Sequence, residues 1–134
     1  SDAVGAVTKL KSYIDYGTFQ PIQIASTVAL NELDDYPFEL STVYKERRDL
    51  VQEYLEDLEF IVQESDATMF VWAKLPKRFN KDSLKFSLDI LEKSNVAISP
   101  GIGFGKFGEG HIRIALVENK QRIRQAMKNI KAAL

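Results

Sequence analysis

The sequence contains no cysteine, one histidine (His111), one tryptophan (Trp72) and four prolines among 134 residues. Without cysteine there is no disulfide framework, no thiolate metal centre and no sulfur nucleophile. A single histidine argues against a histidine-built metal centre and against a Ser-His-Asp triad, so no metal is expected. No apolar run approaches the ~18–20 residues of a membrane span. Lys9 and Lys11 interrupt any leader-like apolar stretch near the start. These absences point to a cytoplasmic protein with no membrane partner. Apolar residues make up 45% and charged residues 28%, which is globular composition and excludes a disordered or fibrous chain. The length suits one domain or slightly less. Such a chain can bury roughly two-thirds of its unfolded surface.

Charge is unevenly spread although the net value is only −1. Residues 1–30 are neutral overall, residues 31–66 carry −9 and residues 67–134 carry +8. Two such halves can be solvated faces, or can attract each other or an outside partner. The basic final helix lacks interleaved aromatics, and with a net charge near zero no nucleic acid is expected.

Residues 4–14 read as a helix with Val7, Leu10 and Ile14 on one face, stopped at Tyr16-Gly17-Thr18. A second helix starts near Pro21, a residue suited to a first helical turn. Its apolar stripe is Ile22, Ala25, Val28, Ala29 and Leu33. Both helices need a surface to pack against. A long helix follows Asp34-Asp35-Tyr36-Pro37 and runs to about Leu58, with Leu40, Val43, Tyr44, Leu50, Val51, Leu55 and Leu58 at helical spacing. Phe60–Val62 is a short strand. Thr68–Ala73 is a continuous apolar run, which predicts a buried central strand with Phe70 and Trp72 in the core. Residues 82–93 fit either period, and their length and the cap at Asp82 or Ser83 favour a helix. Val96–Ser99 and His111–Leu116 are strands joined by a loop, so they can pair as antiparallel neighbours. The last helix starts near Asn119, with Ile123, Met127, Ile130 and Leu134 inward. The fold expected is α+β: a small, mostly antiparallel sheet of about four strands with helices packed on one face, preceded by two helices.

The most informative local feature is the glycine-rich loop from Pro100 to Gly110. Gly103, Gly105 and Gly108 match G-x-G-x-x-G in form. The dinucleotide motif needs a helix directly after the glycines, and here a strand follows. The chain also lacks the remaining protein-kinase motifs. The loop then reads as a wide hairpin whose glycines tolerate positive φ, or as a backbone surface that a ligand approaches closely. Arg113 lies three residues beyond it, between Ile112 and Ile114. Alternation points Arg113 away from both isoleucines. Facing water, it is merely solvated. Facing a covering domain, it is a fixed cation able to grip a carboxylate through its fork. His111 shares its face and reads as a packing or hydrogen-bonding residue. Arg47-Arg48-Asp49 reads as a salt-bridge cluster on a solvated or interdomain face.

Taken in order, these pieces resemble the C-terminal region of a class I/II, fold type I pyridoxal-phosphate aminotransferase, in the alanine/aspartate/diaminopimelate transaminase-like branch. The segments that carry the resemblance are Val4–Gly17, Pro21–Ala25, Tyr44 with Arg47-Arg48-Asp49, Thr68–Ala73 followed by Pro76, Ser99-Pro100-Gly101 through Phe104-Gly105, and Gly108-x-Gly110-x-Ile112-Arg113-Ile114-Ala115-Leu116. The resemblance implies that residues 1–33 are a helical segment ending a larger cofactor-binding domain, and that 34–134 form the small closing domain. It implies pyridoxal 5'-phosphate as cofactor, and amino acids and 2-oxo acids as substrates. It further implies that Arg113 binds the substrate α-carboxylate, and that the loop around Gly103 shapes the substrate entrance. Tyr16, Gly17 and Thr18 would lie at the interface of a homodimer. In such enzymes the cofactor is carried on a lysine in a Ser-x-Lys-like stretch. That stretch lies upstream of residue 1, and Lys9 and Lys11 do not match it. No catalytic residue is therefore expected in this chain, which on its own is expected to be inactive, not to hold the cofactor stably, and to self-associate through its uncovered helices. The alternative is a stand-alone module that holds a small anion with the glycine loop and Arg113.

Overall fold

The computed structural model describes residues 2–15, 17–79 and 81–134. Among them are five α-helices, four β-strands and two short 3₁₀ turns. The chain divides into two compact units, Ser1–Glu39 and Leu40–Leu134. The first unit contains α1 (Asp2–Ile14) and α2 (Gln20–Glu32). Neither helix buries any residue, and the apolar side chains Val7, Leu10, Ile14, Ile22 and Leu33 are exposed. Pro21 occupies the first turn of α2, as its lack of an N–H allows. The break expected at Tyr16-Gly17-Thr18 is present between the two helices. Tyr16 itself lies outside the described residues, and Gly17 has φ +147°.

The helix α3 (Tyr36–Asp57) begins at the unit boundary and enters the second unit. It stops where Glu59 takes a left-handed φ of 65°, with Phe60 N–H donating to the Leu55 carbonyl at 2.9 Å. That six-to-one closure satisfies a terminal carbonyl of the helix. β1 (Ile61–Val62), β2 (Phe70–Lys74), β3 (Ser99–Pro100) and β4 (His111–Ala115) form one antiparallel sheet in the order β1-β2-β4-β3. Between β2 and β3 lies α4 (Ser83–Ser94), capped by the Asp82 carboxylate, which accepts the Lys85 N–H at 2.8 Å. The chain ends in α5 (Lys120–Ala133), capped in the same way by Asn119 on the Arg122 N–H at 2.9 Å. The expected α+β fold, with its antiparallel pairing of the last two strands, is therefore what forms.

The core lies on one face of the sheet. Val71 and Ala73 from β2 and Ile112 from β4 pack with Leu50, Val51 and Leu55 of α3, Phe86 and Ile90 of α4, and Ile123, Met127 and Ile130 of α5. Full burial of one such side chain is worth about 1.5–3 kcal/mol. β2 is buried on one face only, and Phe70 and Trp72 lie half-buried on the other, outside the core cluster. The third strand forms at Ser99–Pro100, later than Val96–Ser99, because its register pairs Ser99 with Arg113 and Pro100 with Ile112. Val96 and Ile98 still pack against the core, so their apolar character has a cause other than a ladder. Leu134 lies beyond the last helical residue and is exposed, as are Leu40 and Val43 at the start of the α3 stripe. The opposite charges of the two halves meet within the second unit. Lys120 pairs with Glu46 at 3.0 Å and Lys131 with Asp57 at 3.5 Å. These pairs are exposed, so each contributes little.

Candidate functional site

Pairing of β2 with β4 sets Trp72 opposite Arg113 and Lys74 opposite His111, and Ser99 of β3 lies on the other side of Arg113. Ile112 is fully buried in the core, so strand alternation turns Arg113 to the opposite face. That face is not bare water. The Arg113 guanidinium lies 4.1 Å from the centre of the Phe70 ring and 4.2 Å from that of the Phe104 ring. It is therefore held between two aromatic faces, an arrangement that attracts a cation through the ring quadrupoles. Trp72 continues the stack, with its ring 5.7 Å from Phe104, edge to face, and 5.5 Å from His111, face to face. The His111 Nδ1 lies 3.1 Å from the Glu109 carbonyl. This supports the packing and hydrogen-bonding role expected of His111.

Arg113 makes no ion pair among the described residues, and its Nε is buried without a hydrogen-bond partner. A buried donor left unpaired is costly. Beside it opens a cleft of about 310 Å³ lined by Gln63, Glu64, Ser65, Thr68, Phe70, Trp72 and Arg113. The cleft thus presents a guanidinium, an aromatic floor and polar groups from the turn between β1 and β2.

The glycine loop is two successive 3₁₀ turns, Gly101–Phe104 and Lys106–Gly108, in place of a plain wide hairpin. Positive φ is confined to Gly105 (107°) and Gly110 (77°) within it. Gly101 and Gly108 serve close approach: a Cβ on Gly101 would come 1.9 Å from the Gly108 oxygen. Gly103 has neither demand, since a Cβ there would meet nothing within 4 Å. The loop is also tied to α4. Glu109 Oε1 accepts the backbone N–H of Ser83 at 2.6 Å and that of Gly110 at 3.0 Å, and Ser83 Oγ accepts the Ile102 N–H at 3.1 Å. The N–H bonds from Ser83 first, then Gly110, lower the Glu109 pKa below its ordinary range.

Strand alternation places Arg113 and His111 on one face, as expected, whereas Phe104 and Glu109 join the site through the loop. Phe104 reaches Arg113 only because the first 3₁₀ turn folds its ring back over the sheet, and no periodicity carries that information. Glu109 had a faint signal, an acid between two glycines just before a strand. Arg47 and Arg48 are more than a surface cluster. Arg47 Nη1 donates to the Leu116 carbonyl and Arg48 Nη1 to the Ser65 carbonyl, each at 2.8 Å, while Arg48 also pairs with Asp49 at 2.7 Å.

Residues 6–130 match the family model for aminotransferase class I and II. The chain belongs to this family. Among its relatives, the LL-diaminopimelate aminotransferase of Natranaerobius thermophilus is 46% identical over 128 residues, covering 96% of this chain and 33% of that protein. The glutamate-pyruvate aminotransferase AlaC of Escherichia coli K12 is 43% identical over 130 residues, covering 96% of this chain and 32% of that protein. An aminotransferase structure from Staphylococcus aureus superposes with a TM-score of 0.87 at 28% identity, over 98% of this chain and 35% of that one. Substrate-bound BacF from Bacillus subtilis superposes with a TM-score of 0.86 at 30% identity, over 96% and 33%. This aminotransferase segment spans about a third of the length of the curated relatives it matches.

Pyridoxal phosphate, the cofactor that the family implies, needs a lysine amine to carry it. The side chains lining the Arg113 cleft include no lysine. The donor set of this cleft does not fit the cofactor, whereas its guanidinium fits a carboxylate. Among the described residues no group of three or more metal-ligating side chains is present, and no helix is long and apolar enough to cross a membrane.

Proposed function

We propose that this chain is the substrate-gripping, C-terminal part of a pyridoxal-phosphate transaminase that moves an amino group between an amino acid and a 2-oxo acid. The observation that carries this reading is Arg113. It is a permanent cation held between two rings, with a buried unpaired Nε and no acidic partner among the described residues, in a chain of the aminotransferase family. An amino acid and its 2-oxo acid share one feature, a carboxylate attached to the carbon that changes. One guanidinium fork can therefore orient both substrates of a transamination.

In this reading residues 1–33 end the large cofactor-binding domain and residues 34–134 are the small domain that closes over the substrate. The lysine that carries the cofactor lies outside these residues, so the 134-residue chain alone is inactive. Gly103, where added volume meets no neighbour, lets an incoming substrate approach the backbone. The protein acts as a cytoplasmic homodimer, with Tyr16, Gly17 and Thr18 at the subunit interface.

Replacement of Arg113 by Lys in the full-length protein tests this. A lysine keeps the charge and loses the fork. The expected result is a fall in kcat/KM of about tenfold to a hundredfold for the amino acid and the 2-oxo acid alike. Unchanged kcat/KM for both would overturn the reading.

A further inference from the structure

We infer that Phe104 is a positioning residue for substrate binding, acting through Arg113. This rests on the proposed reading of Arg113 as the carboxylate grip, and adds what holds that grip in its working orientation. A strand-borne arginine has several free torsions, and an unrestrained guanidinium must lose that freedom each time a carboxylate arrives. Here two aromatic rings already pack against the group. The guanidinium carbon lies over the ring of Phe70, on the neighbouring strand, at 4.1 Å and over the ring of Phe104, from the glycine loop, at 4.2 Å. Contact with both rings restricts the torsions of the side chain, and its N–H donors project in the plane of the guanidinium. The aromatic pair therefore restrains the fork before a carboxylate arrives.

Phe104 is the more informative of the two rings because it is not on the sheet. It ends the first 3₁₀ turn, Gly101–Phe104, and the Trp72 ring supports it edge to face at 5.7 Å. The start of that turn is fixed by the Ile102 N–H on Ser83 Oγ and by the close backbone approach of Gly101 and Gly108. The conformation of the glycine loop is thereby coupled to the orientation of Arg113. A change in the loop alters the grip on substrate without touching it.

The test is a double-mutant cycle in the full-length enzyme, combining Phe104→Leu with Arg113→Lys, with Phe104→Tyr as the conservative variant. Phe104→Leu is expected to lower kcat/KM for the amino acid about tenfold, through KM and with little change in kcat. Phe104→Tyr keeps the ring and is expected to stay within about twofold of wild type. In the Arg113→Lys background, Phe104→Leu is expected to cost less than about twofold more, because the group it positions is gone. A second readout is the Arg113 Nε–H proton in ¹⁵N-edited NMR, which the ring currents of Phe70 and Phe104 should shift upfield and which Phe104→Leu should move downfield. Equal losses from Phe104→Leu in both backgrounds, or a loss confined to kcat, would overturn the positioning role and leave the carboxylate reading standing. An Arg113→Lys enzyme with unaltered kcat/KM would instead remove the carboxylate reading, and the positioning role with it.

Discussion

Gly101 and Gly108 lie back to back across the base of the glycine loop. A Cβ added to Gly101 would come 1.9 Å from the Gly108 oxygen, and one added to Gly108 would come 2.1 Å from the Gly101 oxygen. Neither clash can be relieved by rotating a side chain, because both partners are backbone. Two short 3₁₀ turns are thereby pinned together, and the ring of Phe104 is carried between the pins.

Gly101→Ala should consequently destabilise the fold by about 3 kcal/mol, the upper end of what overpacking costs. Gly103→Ala should lie within about 0.5 kcal/mol of wild type, since the added methyl meets open space. Urea denaturation midpoints of the two variants check this. Equal midpoints would show that the loop opens freely at its base. Gly103→Ala also separates folding from function. It should retain stability and yet weaken amino-acid binding in the full-length protein if substrate passes close to that backbone.

The Glu109 carboxylate predicts an acid-labile loop. Its folded pKa is lowered by the Ser83 and Gly110 N–H groups, while in the unfolded chain it titrates near the ordinary value of ~4.3. Its contribution to stability is therefore complete above about pH 4.3 and fades as pH falls through the lower folded value. Glu109→Gln keeps an acceptor oxygen but removes the charge. The wild type should be more stable than the variant at neutral pH, and the two should converge in acid. Urea unfolding of both proteins at a series of pH values measures the gap, and a gap of constant size from neutral to acid would exclude the charge as its source.

What could be read from the sequence follows the range of the interactions involved. Helix starts at Asp82 and Asn119 were legible because a cap is a contact between a side chain and a backbone group three residues away. The orientation of Arg113 was legible because alternation needs only its neighbours Ile112 and Ile114. The antiparallel pairing of β3 with β4 followed from a glycine-rich connection that reads as a loop and not as a helix. The residues at which strand β3 forms were not legible. Val96 and Ile98 alternate like a strand but contact the core on the approach to it, and the ladder starts only at Ser99. Nor could the packing of Phe70, Trp72 and Phe104 around the guanidinium be read. An apolar run looks like core from sequence, and only the register of β2 with β4 and the two 3₁₀ turns turn these rings toward a cation instead.

Arg47 and Arg48, adjacent on α3, make two different tethers, and their loss should act at different ranges. Arg47 binds the carbonyl of Leu116, a fully buried residue at the exit of β4, and its guanidinium also lies 5.4 Å from the centre of the Tyr44 ring. It joins α3 to the chain that leads into α5, so Arg47→Ala should lower global stability by about 1.5–3 kcal/mol, the worth of a hydrogen bond from a charged donor. Arg48 holds the Ser65 carbonyl in the turn between β1 and β2, and its ion pair with Asp49 is partly exposed. Because that carbonyl sits in a turn that can open without the core, Arg48→Ala should lower global stability less than Arg47→Ala. It should instead loosen residues 63–68, which supply one wall of the cleft beside Arg113. Amide hydrogen exchange separates the two effects: Arg47→Ala should accelerate exchange across the core elements together, whereas Arg48→Ala should accelerate it in the turn and leave α4 and α5 protected. If both variants accelerated the same amides, the two arginines would form one tether, and the separate anchoring of the cleft wall would be excluded.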